Sequence, residues 1–483
     1  MEHQHKEATI PHVLIFPLPI QGPINCKLQL AELFCLSGLK VTFLNTIHNQ
    51  ERLLRHTNVQ SRFEKYPGFR FLTIPDGLPD EHPRSFEQFG DIISSVQTVA
   101  EPFLREMLRS GAKELVTCVV PDALSYYVAD IGNEMGVPVI PFDTLSPSCV
   151  WVYMCLPKLI ESGELPFKDN DLDASVTHIP ALEGLLRRRD LPPFCLMDYK
   201  TDPDFLAALK QVERIPQSHG LILNTFEDLD RPFLSCIHSY SPKTYAIGPL
   251  HLHLKAKLSS KNAPSSNSLW EEDHSSIKWL DAQPMGSVLY VSFGSVVVVS
   301  KEEILEFQHG LLNSKVKFLW VMRPNILKGG ESDVQFMKEL AEGCKGNGYI
   351  VSWAPQKMVL AHPAIAGFLT HSGWNSTLES VSEGKPMICW PHYVDQRVNS
   401  RLVNELWQIG LDMKGICDRS TIERMIKDLM EIKRDELKKS IEELSKLAKL
   451  SVEEGGSSYN NLDCLIDDIK ELARTKENEN IRM

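Results

Sequence analysis

Apolar residues in this chain fall in short runs separated by longer amphipathic stretches. Val13-Leu-Ile-Phe16 is an uninterrupted apolar run of strand length, followed by a Gly/Pro/Asn turn from Gln21 to Asn25. A helical period then predicts a helix from about Ile24 to Ser37, and a second strand, Lys40 to Leu44, follows Gly38. Phe69 to Ile74, Leu115 to Val120 and Val137 to Phe142 read as further strands with helical stretches between them. Strand, helix and strand repeated in this way predict parallel pairing through crossover helices, with both sheet faces covered. The pattern lapses from Leu250 to Ser276, where a stretch rich in Ser, Lys, Asn and His (KLSSKNAPSSNS) reads as a linker without apolar period. It restarts with a buried strand, Ser287 to Phe293, a helix near Glu302 to Leu312, and strands at Phe318 to Met322, Tyr349 to Ser352 and Ile365 to Leu369. The charged amphipathic stretch from Ser420 to Arg474 predicts helices packed on the surface.

Two consecutive doubly wound α/β domains are therefore expected. A chain of 483 residues is too long for one hydrophobic core and divides naturally into two domains of roughly 200–250 residues. The expected boundaries are an N-terminal domain over 1–250, a linker over 251–276, and a C-terminal domain from 277 to 460. In such folds ligands bind where strands end and helices begin, so the cleft between the domains is the expected site.

Composition narrows the class of partner. A formal charge of −12 and a pI near 5.8 argue against nucleic acid or an anionic membrane surface, both of which need a basic face. No segment has the ~20 consecutive apolar residues of a spanning helix. Eleven cysteines, irregularly spaced and without a CxxC pair, read as reduced thiols of a cytoplasmic protein rather than a disulfide framework or a zinc site. A small-molecule substrate and a monomeric chain are the expectation.

The chemistry concentrates in the 44 residues from Trp353 to Gln396, WAPQKMVLAHPAIAGFLTHSGWNSTLESVSEGKPMICWPHYVDQ. The predicted strand Ile365 to Leu369 runs into Thr370-His-Ser-Gly373, and a helix starts near Trp374 or Asn375. Glycine lets backbone approach a ligand, and a helix N-terminus offers free N–H groups and a positive dipole end. His371, Ser372, Asn375 and Ser376 surround that end with donors, which makes a phosphate cradle; the bland reading is a capped strand-to-helix turn. Glu379, one helical turn beyond Asn375, places a carboxylate where two adjacent ribose hydroxyls could donate.

End to end, this segment resembles the signature box of the plant family 1 UDP-glycosyltransferases. Pro75-Asp-Gly-Leu78, Asn224-Thr-Phe-Glu227, Ile247-Gly-Pro249 and Trp279-Leu-Asp281 look like further landmarks of that family. Glu183 to Asp190 is similar to a branch containing terpenoid and iridoid glucosylating enzymes. The resemblance implies a glycosyltransferase-B fold, two Rossmann-like domains facing a cleft, with a last helix over 461–483 packing back on the first domain. It implies UDP-glucose as donor and no metal. Trp353 would stack on uracil, with Ala354 and Gln356 nearby, and Glu379 would hold the ribose. His371, Asn375, Ser376 and Ser295 would bind the diphosphate. Asp395 and Gln396 would bind the sugar hydroxyls beside Trp374.

One position departs from the family. Its first strand-to-helix turn carries a histidine that deprotonates the acceptor; here the turn is Gln21-Gly-Pro-Ile-Asn25 and Pro23 occupies that place. Proline suits the first position of a helix but accepts no proton. Asp122, in Pro121-Asp-Ala-Leu124, matches the aspartate that orients the histidine and is expected to stand without its partner. Three readings follow. An acceptor that ionises readily needs no base. Alternatively another residue serves as base, Asp122 or His392, the bland reading of His392 being a residue of the cleft wall. In the third, transfer is lost and the cleft, lined by Asp122, Thr144 and Ser146, performs a donor-independent rearrangement or cyclisation, or only binds the molecule. The expected acceptor pocket is Pro23, Asp122, Thr144, Ser146 and His392, formed by the N-terminal domain and the segment Pro141 to Met154. Among other histidines, His48 is placed near the acceptor cleft, His12 at a buried strand start and His362 at a helix end.

Overall fold

A computed structural model of the chain describes residues 10–109, 115–258, 266–328 and 333–482. The first four strands, β1 (His12–Phe16), β2 (Lys40–Thr46), β3 (Phe69–Ile74) and β4 (Cys118–Pro121), form one parallel sheet in the order β3-β2-β1-β4. Three more, β5 (Phe142–Asp143), β6 (Leu221–Leu223) and β7 (Thr244–Ala246), pair in parallel in that order. Single bridges from Val119 to Val139 and from Asp122 to Phe142 carry the pairing from β4 to β5. The second domain holds β8 (Val288–Ser292), β9 (Lys317–Val321), β10 (Gly348–Val351), β11 (Ile365–Thr370), β12 (Met387–Cys389) and β13 (Gly410–Asp412), in the order β10-β9-β8-β11-β12-β13. Each domain thus reverses strand order next to its first strand, and that switch point is where a doubly wound sheet opens a crevice.

The unbroken apolar runs have their cause in this layering. Side chains alternate across a strand, so Val13 and Ile15 of β1 enter the core under the helix Gln21–Leu36. Leu14 and Phe16 enter the core under the helix Phe89–Arg109. Both faces being covered, β1 has no polar face to show. In β8, Val288 and Tyr290 pack on one side while Leu289 and Val291 pack on the other. Each such fully buried side chain contributes about 1.5–3 kcal/mol.

Two expectations about the connections need correction. The stretch read as a linker opens with a helix, Leu250–Lys257. Leu250 and Leu254, one turn apart, join the first domain's core, while Leu252 joins the second's. The first domain's core therefore runs past residue 250; residues 259–265, inside the expected linker, lie outside the described residues. The last helix begins at Ser457 rather than 461 and runs to Arg482. Its Leu462, Leu465, Ile466 and Ile469 complete the first domain's core. Lys243 pairs with Asp468 at 3.1 Å and Lys476 Nζ donates to the Val116 carbonyl at 2.9 Å, tying this helix to the first domain beside β7 and β4. All eleven cysteines are unpaired. Among the described residues no helix is long and apolar enough to cross a membrane.

Candidate active site

A cavity of about 940 Å³ opens between the domains, walled by the carboxyl ends of both sheets. On the C-terminal side β11 ends at Thr370, and the chain turns through Ser372, whose φ of +64° is a strained left-handed conformation for a side-chain-bearing residue. The helix Trp374–Ser382 starts directly from Gly373, and no side chain caps it. Its first N–H groups are thus left for a ligand, and they carry the positive end of the helix dipole. His371 is clamped beside them between two glycines. A Cβ on Gly294 would lie 2.4 Å from the imidazole Cε1, and one on Gly373 would lie 2.5 Å from Nε2. Burial lowers this imidazole to about 3, with the charges of His392 and Arg323 adding to the effect, so it faces the cavity neutral. Ser295 follows Gly294 on the same wall.

Around the next turn of that helix, Glu379 is buried and Gln356 Nε2 donates to its Oε2 at 2.8 Å. The same amide donates to Ser376 Oγ at 3.0 Å. Burial raises the Glu379 carboxyl, and the nearby Lys357 opposes that rise. Trp353 and Ala354 line the cavity next to Gln356, with Trp270 packed 5.9 Å from the Trp353 ring. At the far end Asp395 Oδ2 accepts from Asn399 Nδ2 at 2.9 Å and from the Ser146 N–H at 3.3 Å; burial raises this carboxyl to about 6. Gln396 Oε1 accepts the N–H groups of His392 and Tyr393 at 2.9 and 3.0 Å, which turns its amide nitrogen outward as a donor.

The N-terminal side is built differently. Pro23 sits at the third position of the helix Gln21–Leu36, not the first, but still among the N–H groups that a helix leaves unpaired. Asp122 does not stand without a partner. Lys27 Nζ lies 2.6 Å from Asp122 Oδ2 and donates to the Phe142 carbonyl at 3.2 Å. Thr144 Oγ1 donates to the same carboxylate oxygen at 3.4 Å. Next to this group Asp143 is held up to about 7, first by burial and then by the charge of Asp122. Leu18, Ile20, Phe86, Phe89 and Leu124 give this wall an apolar part, beside the polar Gln21, Asn25, His56 and Asn58.

Residues 261–451 match the UDP-glucoronosyl and UDP-glucosyl transferase family. The chain is 50% identical over 471 residues to 7-deoxyloganetic acid glucosyltransferase of Catharanthus roseus, covering 96% of this chain and 98% of that one. This chain belongs to the UDP-glycosyltransferases. A myricetin 3-O-rhamnoside 1,2-glucosyltransferase of Crocosmia x crocosmiiflora is 44% identical over 96% of each chain. Among solved structures, Os79 of O. sativa in complex with UDP superposes with a TM-score of 0.80 at 27% identity, covering 95% of this chain and 100% of that one. A Phytolacca americana glycosyltransferase complexed with UDP-2fluoro-glucose and pterostilbene gives 0.76 at 27% identity, over 95% and 99% of the two chains. The fold is glycosyltransferase-B, and the chain is a UDP-glycosyltransferase enzyme that takes a UDP-sugar.

The cavity of this UDP-glycosyltransferase gathers most of the residues expected at the site: Pro23, Asp122 and Thr144 on one wall, and Ser295, Trp353, Ala354, Gln356, His371, Trp374, Asn375, Ser376, Glu379, Asp395 and Gln396 on the other. Ser372, fully buried in the turn, does not line it. Ser146 and His392 are off the wall. Ser146 Oγ caps the helix Pro147–Glu161 by accepting from the Cys149 N–H. His392 packs edge-on against Trp390 at 4.2 Å, and burial lowers it to about 4. His48 is also off the wall, while His362 Nδ1 accepts from the Ala364 N–H just after its helix. Glu183 to Asp190 serves the domain interface: Arg187 binds Asp190 at 2.7 Å and reaches Asp412 at 3.6 Å, while Arg401 donates to the Leu185 carbonyl at 2.8 Å. Sequence reasoning missed two residues. Asn224 accepts at its carbonyl from Trp374 Nε1 (2.8 Å) and donates from Nδ2 to Asn375 Oδ1 (3.3 Å), joining the domains behind the cradle. Its place in a quoted landmark was the available signal. Lys27 gave none beyond its spacing of one turn from Pro23.

Proposed function

We propose that this enzyme is an inverting glucosyltransferase that moves glucose from UDP-glucose to an oxygen of a small iridoid-type terpenoid. The observation that carries the reading is the uncapped helix Trp374–Ser382 with neutral His371 at its start and Asp395 and Gln396 at the sugar end. The names of the relatives, 7-deoxyloganetic acid glucosyltransferase at 50% identity and 7-deoxyloganetin glucosyltransferase of Gardenia jasminoides at 36%, support the acceptor class.

In this reading the acceptor oxygen attacks the anomeric carbon from the N-terminal wall, on the face opposite the diphosphate. The new oxygen–carbon bond forms as the bond from that carbon to the diphosphate oxygen breaks. The electron pair leaves with UDP, whose charge falls on helix N–H groups already in place. The acceptor's proton goes to water, because Pro23 accepts none and Asp122 is held by Lys27. A positioned base contributes about 10²–10⁴ in rate, or roughly 3–5 kcal/mol of barrier. The substrates are then oxygens that ionise without that help, carboxylic acids, hemiacetals and enols. The test is UDP release from UDP-glucose against a panel of terpenoids. Carboxyl and hemiacetal acceptors should turn over at least ~10²-fold faster than plain alcohols. Equal rates across the panel would overturn the acceptor reading. Absence of UDP release, or conversion of an acceptor with no donor added, would overturn glucosyl transfer itself.

A further inference from the structure

Lys27 lies one helical turn beyond Pro23, on the face of the helix Gln21–Leu36 that looks into the protein. Its ammonium and the Asp122 carboxylate are 2.6 Å apart, with side chains 0% and 3% exposed. An ammonium has three hydrogens to place and tolerates burial only beside a counter-charge. Lys27 finds that charge in Asp122, and finds also the Phe142 carbonyl at 3.2 Å and the Phe142 ring at 4.8 Å. Both oxygens of Asp122 are engaged, Oδ2 with Lys27 and Thr144, and Oδ1 with the Leu124 N–H at 3.3 Å. The other titratable groups near the pair are Cys26, Asp143 and Asp395. Burial pushes Cys26 up to about 12, so it brings no charge in acid or neutral solution. Asp143, held up to about 7, is partly ionised at neutral pH and is bound by Gln211 Nε2 at 2.5 Å and the Leu145 N–H at 3.0 Å, while Asp122 is the carboxylate in contact with Lys27.

We propose that Lys27 is a positioning residue that commits Asp122 to a buried ion pair, so that Asp122 is not free as a base and a histidine placed at position 23 alone does not find it free to hold the imidazole. The kinetic part of this inference rests on the glucosyltransferase reading; the ion pair itself does not.

Two experiments divide along that line. The first measures UDP release with a plain alcohol terpenoid for the wild type, Pro23→His, Lys27→Met and the double variant across pH. The double variant should exceed Pro23→His by at least about tenfold. That gain should show an acidic limb near the ordinary histidine value, about 6.5. An equal gain from Pro23→His alone, or none from the double variant, would overturn the kinetic role. The second is a thermal-melting cycle of Lys27→Met, Asp122→Asn and Lys27→Met/Asp122→Asn. Each single change strands one buried partner and should lower Tm by several degrees more than the double change does. A single variant too unstable to isolate beside a folded double variant counts as the same result. Additive losses would overturn the ion pair whatever the enzyme transfers.

Discussion

The two walls of the cleft solve the same problem, placing charge beside a reacting sugar, by different means. The C-terminal wall uses backbone: helix N–H groups, a turn strained at Ser372, and glycines that leave room for one imidazole. The N-terminal wall uses side chains borrowed from three elements, the helix Gln21–Leu36, the end of β4 and the end of β5. A backbone cradle is fixed once strand and helix are fixed, and it fails only if the fold fails. A wall of side chains can be rewired by one or two substitutions without disturbing the fold. Pro23 and Lys27 fit that second case.

The contrast can be broken or sharpened at single residues. The largest effect is expected at Glu379. Glu379→Ala removes the carboxylate proposed to hold the ribose, and hydrogen bonds to a charged group are worth about 1.5–3 kcal/mol each. The dissociation constant for UDP-glucose, measured by titration calorimetry, should rise at least about a hundredfold; a change under about fivefold would remove Glu379 from the donor site. Next comes Gly294→Ala. It puts a Cβ 2.4 Å from the His371 ring at a φ of +69°. A strained left-handed residue costs about 1–3 kcal/mol, and the displaced imidazole should weaken UDP-glucose binding about tenfold with the protein still folded. Unchanged binding would mean the clamp on His371 is idle. The smallest effect is expected at His371. A charged imidazole would attract the diphosphate and tighten binding in acid, but burial keeps His371 down at about 3. His371 should therefore add no tightening of UDP-glucose binding between pH 8 and 5, and a weakening near pH 6 is that of Asp395, whose carboxyl burial raises to about 6. Tightening by more than about fivefold below pH 6 would show that His371 charges in that range.

The same contrast explains what the sequence revealed. The donor wall is nearly contiguous, so its residues appear together in the 44 residues from Trp353 to Gln396, and of those expected there all but Ser372 and His392 line the cavity. Strand and helix order was legible because parallel strands covered on both faces must be apolar throughout. The acceptor wall was not legible. Lys27 and Asp122 are 95 residues apart, and in one dimension a lysine on a first helix looks like any solvated charge. His392 stands three residues before Asp395 yet packs on Trp390 instead of facing the cavity. The helix Leu250–Lys257 was hidden by its own alternation, Leu-His-Leu-His-Leu, which has the period of a strand. It is helical because Leu250 and Leu254 must reach one core while Leu252 reaches the other.

The closing helix bears on how the chain is made. Domains are generally completed in the order of synthesis, the first folding while the second is still being built. Here the first domain awaits Leu462, Leu465, Ile466 and Ile469, which are made after the whole second domain. Until then β7, on which this helix packs, keeps an apolar face open to water. The first domain is thus finished only after the second has been made, and a nascent chain stopped after the second domain holds a formed donor cradle opposite an unfinished partner.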